Sequence, residues 1–192
     1  MFIRNWKKDV FTIPNLLSLF RLFLIPVYIS LYLKAKQPSE LLLAAAILTI
    51  SCLTDLLDGW IARRFDMVST LGKILDPIAD KLTQFSLLFC LCFKYRQLHM
   101  VLLLFVVKEL FQGIVGLLFL RRGQMLPGAL MAGKVCTAVL FGSLILLMAL
   151  PEAGQRLVSI LTLIDILFLL FSFAHYFLAY FGSRAALQDW GE

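Results

Sequence analysis

Long apolar runs separated by short polar segments dominate the chain. A transmembrane helix needs about 20 consecutive, mostly apolar residues to cross a bilayer core roughly 30 Å thick. Six stretches meet this requirement: residues 13–33, 41–60, 74–93, 100–120, 128–150 and 157–181. The segments between them are too short to hold a second domain. The pattern therefore predicts a single all-α integral membrane domain over residues 1–192, with six transmembrane helices.

A short amphipathic stretch precedes the first apolar run. When residues 2–10 are drawn as a helix, Phe2, Trp6 and Val10 fall on one side and Lys8 on the other. This pattern predicts a short N-terminal juxtamembrane helix that lies on the membrane surface. The alternative is a frayed basic tail.

Composition and charge agree with a membrane protein. The chain is 61% hydrophobic and 16% charged, with a mean hydropathy of +0.90, whereas soluble domains hold about 25% charged residues. Lys and Arg are more frequent in the segments on the side of the N-terminus than in the alternate segments, which predicts a cytoplasmic-membrane protein with both termini in the cytosol. The net charge of +6 indicates contact with the lipid bilayer, and no nucleic-acid-binding module is predicted.

Four acidic residues lie at the adjoining ends of the second and third predicted spans. Asp55 and Asp58 share one face of a helix, as do Asp76 and Asp80, because residues three or four apart lie on the same side. Ionisable groups at membrane depth are costly and usually functional. Carboxylates without nearby His or Cys favour Mg²⁺, Mn²⁺ or Ca²⁺ over zinc, so these faces predict a metal-assisted phosphate site. The structural alternative is that Asp76, directly before Pro77, caps a helix.

The acidic residues belong to a longer pattern. Residues 55–80 read DLLDGWIARRFDMVSTLGKILDPIAD, which is D-x-x-D-G-x-x-A-R, eight further residues, and G-x-x-x-D-x-x-x-D. This pattern resembles the signature of the CDP-alcohol phosphatidyltransferase family. The likeness extends to Asn15 and Arg21 in the first predicted span and to the six-span plan.

The resemblance implies that a phosphatidyl group passes from CDP-diacylglycerol to an alcohol, with release of CMP and with Mg²⁺ or Mn²⁺ as cofactor. By the same resemblance, the metal ligands are Asp55, Asp58, Asp76 and Asp80, and the general base is Asp80. The resemblance also implies that Gly59, Arg63 and Ser69 contact the donor. Ala62 and Gly72 would allow the donor to approach closely. A homodimer is also implied.

Basic residues inside the predicted spans indicate the kind of acceptor. If Lys108 and Lys134 point inward, the acceptor is negatively charged; outward snorkelling of their side chains is the alternative. The chain is similar to the bacterial phosphatidylglycerolphosphate synthases of this family in Asn15, in Arg21 and around Lys134. This implies that the small phosphorylated acceptor is glycerol 3-phosphate, bound by Asn15, Arg21, Lys108 and Lys134. Lys108 departs from the subgroup, which typically has Arg there.

Two alternatives stay open at this stage. Phosphatidylglycerol as the acceptor would make the chain a cardiolipin synthase. An ion-coupled membrane transporter could also use charged residues within its spans, although the sequence has no evident inverted repeat.

Overall fold

The fold is helical throughout the part of the chain that the structure describes. A computed structural model describes residues 13–35, 37, 40–41, 43–51, 54, 72–121, 131–150 and 152–188. The five helices with assigned bounds are α1 (Ile13–Lys34), α2 (Gly72–Lys94), α3 (Leu98–Arg121), α4 (Met131–Ala149) and α5 (Gln155–Gln188). Residues 43–51 are helical as well, and no strand occurs in the described ranges.

Four of these helices contain a segment that is long and apolar enough to cross a membrane. The segments are Asn15–Lys34, Leu98–Leu118, Met131–Ala149 and Gln155–Tyr180. The third predicted span coincides with α2, but α2 carries Lys73, Asp76, Asp80 and Lys81 in its first ten residues. The second predicted span is described only in part, and the N-terminal helix predicted for residues 2–10 lies outside the described residues. The all-α membrane fold is confirmed, and the count of six spans stays a prediction.

Contacts between Cα atoms divide the chain into two compact units, residues 1–90 and residues 91–192, which we term the N-terminal and C-terminal units. In the N-terminal unit, α1 and α2 run in the same direction. Ser18 near the start of α1 contacts Asp76 near the start of α2, and Tyr28 further along α1 contacts Cys90 further along α2. If both helices span the membrane, the chain between them must cross back, as a span at residues 41–60 would do.

In the C-terminal unit, α5 packs against both α3 and α4. Gln97, just before α3, contacts Ser159 at the start of α5, and Phe111 lies 5.0 Å from Phe173, ring centroid to ring centroid, further along. These two contacts show that α3 and α5 run parallel. Helix α4 runs antiparallel to α5, since Gly133 near its start lies against Tyr176 near the end of the span in α5.

The outer face of α3 shows which solvent the fold requires. Its exposed large apolar side chains recur every three or four residues, at Leu103, Val107, Leu110, Ile114 and Leu117. This spacing places them along one side of the helix. A continuous apolar stripe of this length is stable against lipid and costly against water.

Candidate functional site

A buried polar face on α1 forms one side of the candidate site. Asn15, Ser18 and Arg21 are spaced three residues apart, which places them within one side of the helix. Their exposed fractions are 1%, 0% and 2%. Buried polar groups in a membrane helix require partners, because unsatisfied groups there cost several kcal/mol, on the order of 2–7. This face therefore predicts a polar partner surface in the same unit.

Helix α2 supplies that partner surface through Asp76 and Asp80. The Ser18 hydroxyl donates a hydrogen bond to Oδ1 of Asp76, and Nη1 of Arg21 donates to Oδ1 of Asp80. Ser18 and Arg21 are three residues apart on α1, and their partners Asp76 and Asp80 are four residues apart on α2. Both contacts can form because the two helices run parallel. The N-terminal unit thus joins two carboxylates to a hydroxyl and a guanidinium.

The ion pair between Arg21 and Asp80 is asymmetric. The Arg21 side chain is 2% exposed, whereas the Asp80 side chain is 45% exposed. The guanidinium therefore lies inside the helix contact, while the carboxylate reaches an open edge. The exposed part of the Asp80 carboxylate is accessible to a cation or a substrate.

The acidic residues of α2 fit a divalent cation by their chemistry. Asp76 and Asp80 lie one helical turn apart, and carboxylate oxygens are the ligands that Mg²⁺ and Mn²⁺ prefer. Within the described ranges, no group of three or more His, Cys, Asp or Glu residues is placed to hold a metal ion. The other two predicted ligands, Asp55 and Asp58, lie outside those ranges. The structure therefore describes one half of the predicted ligand set.

Most of the predicted donor-binding residues also lie outside the described part of the chain. These residues are Gly59, Ala62, Arg63 and Ser69. Gly72 is the first residue of α2, one turn before Asp76. The donor contacts stay predictions.

The four residues predicted to bind the acceptor differ in their surroundings. Asn15 and Arg21 belong to the buried face of α1 in the N-terminal unit. In the C-terminal unit, Lys108 is 3% exposed and its Nζ donates to Oε1 of Glu109 at 2.8 Å and to Oε1 of Gln112 at 3.0 Å. Lys134 is exposed on α4. Snorkelling is thus an adequate account of Lys134, but not of the buried and paired Lys108.

Two polar residues next to the acidic face were not predicted as site residues. Ser18 holds Asp76, and its signal in the sequence is its position midway between Asn15 and Arg21. Gln84 lies one turn beyond Asp80, is 7% exposed, and its Oε1 has no hydrogen-bond partner among the described residues. Gln84 extends the four-residue spacing of the acidic face, which is the signal that could have identified it.

Known proteins are similar to this chain over most of its length. The sequence model of the family described as CDP-alcohol phosphatidyltransferase matches residues 11–178. An Aquifex aeolicus protein named CDP-diacylglycerol--glycerol-3-phosphate 3-phosphatidyltransferase is 38% identical over 136 residues, covering 70% of this chain and 73% of that protein. A Streptomyces coelicolor protein named cardiolipin synthase (CMP-forming) is 34% identical over 148 residues, covering 76% of this chain and 68% of that protein.

Proposed function

The chain belongs to the CDP-alcohol phosphatidyltransferase family, and on this basis we propose that it transfers the phosphatidyl group of CDP-diacylglycerol to glycerol 3-phosphate, giving phosphatidylglycerol phosphate and CMP. The observation that carries this proposal is the pair of carboxylates, Asp76 and Asp80, held by Ser18 and Arg21. These two residues are the last two acidic positions of the family signature. Family membership favours a transferase over an ion-coupled transporter.

The metal ligands in this proposal are Asp55, Asp58, Asp76 and Asp80. Bound Mg²⁺ or Mn²⁺ supplies Lewis-acid polarisation of the donor pyrophosphate and offsets charge on the departing CMP. Ser18 fixes the orientation of Asp76 by its hydrogen bond, so that the second carboxylate oxygen keeps a defined direction. The described acidic residues support this set because they share one face and offer only oxygen donors.

Asp80 is the proposed general base. The acceptor hydroxyl attacks the β-phosphorus, the new oxygen–phosphorus bond forms as the bond to CMP breaks, and the hydroxyl proton passes to Asp80. Arg21 holds Asp80 from the buried side, which fixes the position of the carboxylate. The half-exposed position of Asp80 leaves room for a substrate to approach it.

The donor and acceptor contacts complete the proposal. We assign Gly59, Ala62, Arg63, Ser69 and Gly72 to CDP-diacylglycerol, and Asn15, Arg21, Lys108 and Lys134 to the phosphate of the acceptor. The name of the Aquifex aeolicus relative supports glycerol 3-phosphate as the acceptor. The second candidate is a cardiolipin synthase that uses phosphatidylglycerol, supported by the name of the Streptomyces coelicolor relative.

The membrane arrangement is also part of this proposal. We infer six spans, of which residues 41–60 and α2 are the two beyond the four apolar helices. The parallel direction of α1 and α2 supports a returning span between them. The distribution of Lys and Arg supports a site that opens to the cytosol, with both termini on that side, and we propose a homodimer.

The test is CMP release from CDP-diacylglycerol by the purified full-length protein. Separate reactions contain glycerol 3-phosphate, phosphatidylglycerol, inositol phosphate or serine, each with Mg²⁺ or Mn²⁺ and each repeated with a chelator. We expect turnover with glycerol 3-phosphate only, abolished by the chelator and restored by excess metal. Turnover with phosphatidylglycerol only would show that phosphatidylglycerol is the acceptor, and the proposed metal site would be unaffected by that result. Absence of turnover with all four acceptors would reject the proposal.

A further inference from the structure

A cavity lined by several charged and polar residues lies at one end of the C-terminal unit, away from the acidic residues of the signature in sequence. It has a volume of about 280 Å³ and is lined by Lys94, Tyr95, Arg96, Gln97, Ala153, Gln155 and Val158. The first four residues come from the end of α2 and the turn before α3, and the others from the α4–α5 loop and the start of α5. No role in the proposed transfer reaction is assigned to any of them.

The charge around this cavity is mainly positive. Lys94 and Arg96 line it directly, and Arg156 lies beside it at the start of α5. In the adjoining described segments, 94–99 and 152–160, Glu152 is the only acidic residue. Three cations and one anion leave a net charge of +2 (3 − 1), so the cavity favours an anion.

The walls of the cavity are fixed by hydrogen bonds. The Ser159 hydroxyl donates to Oε1 of Gln97 at 3.1 Å, which ties the first turn of α5 to the turn before α3. Nδ1 of His99 contacts the carbonyl oxygen of Arg96 at 2.8 Å. Burial raises the pKa of the Tyr95 hydroxyl above its usual value, so this group stays neutral at the cavity wall. The contact between Ser159 and Gln97 thus joins the two segments that line the cavity.

An apolar stripe follows along α5, beginning at Ile160, shortly after the cavity residues Gln155 and Val158. Ile160, Leu163 and Leu167 on α5 are 57%, 58% and 57% exposed, and their spacing places them on one side of the helix. Ile160 also lines the surface beside Arg156. A phosphate in the cavity with hydrocarbon along this stripe matches the chemistry of one lipid molecule, a charged headgroup with acyl chains.

We propose that this cavity binds the phosphate group of an anionic phospholipid, whose acyl chains lie along the exposed stripe of α5. A soluble phosphate could also bind Lys94 and Arg96, but the exposed stripe of α5 favours a ligand that carries acyl chains. The proposal is independent of the acceptor and of the transfer reaction. A single cation at the end of a helix is common in membrane proteins, and the feature that distinguishes this region is the cavity between two cations.

The test is native mass spectrometry of the full-length protein in a non-ionic detergent, titrated with phosphatidylglycerol, with phosphatidylcholine of the same acyl chains, and with inorganic phosphate. The cavity variant is Lys94→Gln with Arg96→Gln. The matched control, Lys34→Gln with Arg121→Gln, removes one Lys and one Arg that end α1 and α3, outside the cavity. Arg96→Lys keeps the charge and should keep most of the binding.

We expect phosphatidylglycerol to bind more tightly than phosphatidylcholine. The cavity variant should weaken that binding by at least about tenfold, since each cation near an anionic lipid strengthens association roughly fivefold. The control should change it less than the cavity variant does, because neither Lys34 nor Arg121 lines the cavity. Equal losses of binding in both double variants, or no loss in the cavity variant, would overturn the assignment of the cavity as the lipid-binding site. Inorganic phosphate that binds as tightly as the lipid, with the same loss in the variant, would overturn the lipid assignment.

Discussion

The helix contacts described above differ in chemistry between the N-terminal and C-terminal units. In the N-terminal unit, α1 and α2 meet through a hydroxyl–carboxylate bond and an ion pair, Ser18 with Asp76 and Arg21 with Asp80. In the C-terminal unit, helices meet through aromatic rings such as Phe111 and Phe173 and through close approach at Gly133. Polar contacts at membrane depth are costly and persist where chemistry requires them. We therefore expect the largest losses of activity from changes to the acidic residues of the first unit.

The largest expected difference between the units comes from replacing one carboxylate by an amide in each. Asp80→Asn should lower CMP release by about 10²–10⁴-fold, because it removes the proposed general base. Asp165→Asn on α5 is the matched control, since Asp165 is 1% exposed and faces Ser143 in the C-terminal unit. The measurement is the initial rate of CMP release at saturating glycerol 3-phosphate.

We expect Asp165→Asn to keep activity within about threefold, because Asp165 is not among the proposed metal, donor or acceptor contacts and the amide keeps the size of the side chain. Near-normal turnover of the Asp80→Asn enzyme, with the donor still bound, would contradict the assignment of Asp80 as the general base. Equal losses in both variants would contradict the division between the units.

Breaking the ion pair is the next largest expected effect. Arg21→Gln leaves Asp80 without its buried cation and should destabilise the protein by about 1–3 kcal/mol, less than a fully buried pair because Asp80 is 45% exposed. Thermal unfolding in detergent measures this loss. The double variant Arg21→Gln with Asp80→Asn should recover part of the stability, since no unpaired carboxylate is left. A double variant that is less stable than both single ones would argue against the pairing.

Close packing in the C-terminal unit provides a third comparison. A Cβ added at Gly133 would lie 2.9 Å from Cε2 of Tyr176, whereas one added at Gly142 on the same helix meets nothing within 4 Å. Gly133→Ala should therefore cost about 1–3 kcal/mol by overpacking. Gly142→Ala should be neutral or stabilising by up to about 1 kcal/mol, because alanine favours the helix. Thermal unfolding of the two variants distinguishes these results, and equal melting temperatures would refute the close approach.

Removing a single hydroxyl should have the smallest effect. Ser18→Ala deletes the hydrogen bond to Asp76 and should weaken Mn²⁺ activation by about tenfold, as is typical for groups that orient a metal ligand. Ser30→Ala is the control, because its hydroxyl donates only to the carbonyl oxygen of Val27 on the exposed side of α1. The metal concentration for half-maximal activity is the measurement. A shift of equal size in both variants would show that Ser18 has no special role.

The sequence predicts the helices well where hydropathy determines their ends. The predicted spans agree with α1, α3 and α4 to within three residues at each end. The last helix continues beyond the predicted end at residue 181 to Gln188. Residues 182–188 are helical although they do not form an apolar run. Hydropathy cannot show an extension of that kind.

The candidate site was predictable only within single helices. The spacing of Asp76 and Asp80 predicts that they share a face, and the structure confirms it. The pairing of Ser18 with Asp76 depends on the axial position of α1 relative to α2. The spacing of residues within a single helix does not determine that position. The same limit applies to Arg21. Its contact with the acceptor stays a prediction, whereas its contact with Asp80 is observed in the structure.

The ion pair between Arg21 and Asp80 also constrains the order of events during synthesis. The two residues are 59 positions apart and lie on different helices, α1 and α2. At about 5–20 residues per second, the ribosome completes Asp80 roughly 3–12 s after Arg21. During that interval Arg21 has not yet met Asp80. An Arg in an apolar helix raises the cost of insertion, by about 2.5–3.5 kcal/mol at the helix centre and by less nearer an end. Arg21 is the ninth of the 22 residues of α1, and the ion pair can lower this cost only after Asp80 has been synthesised.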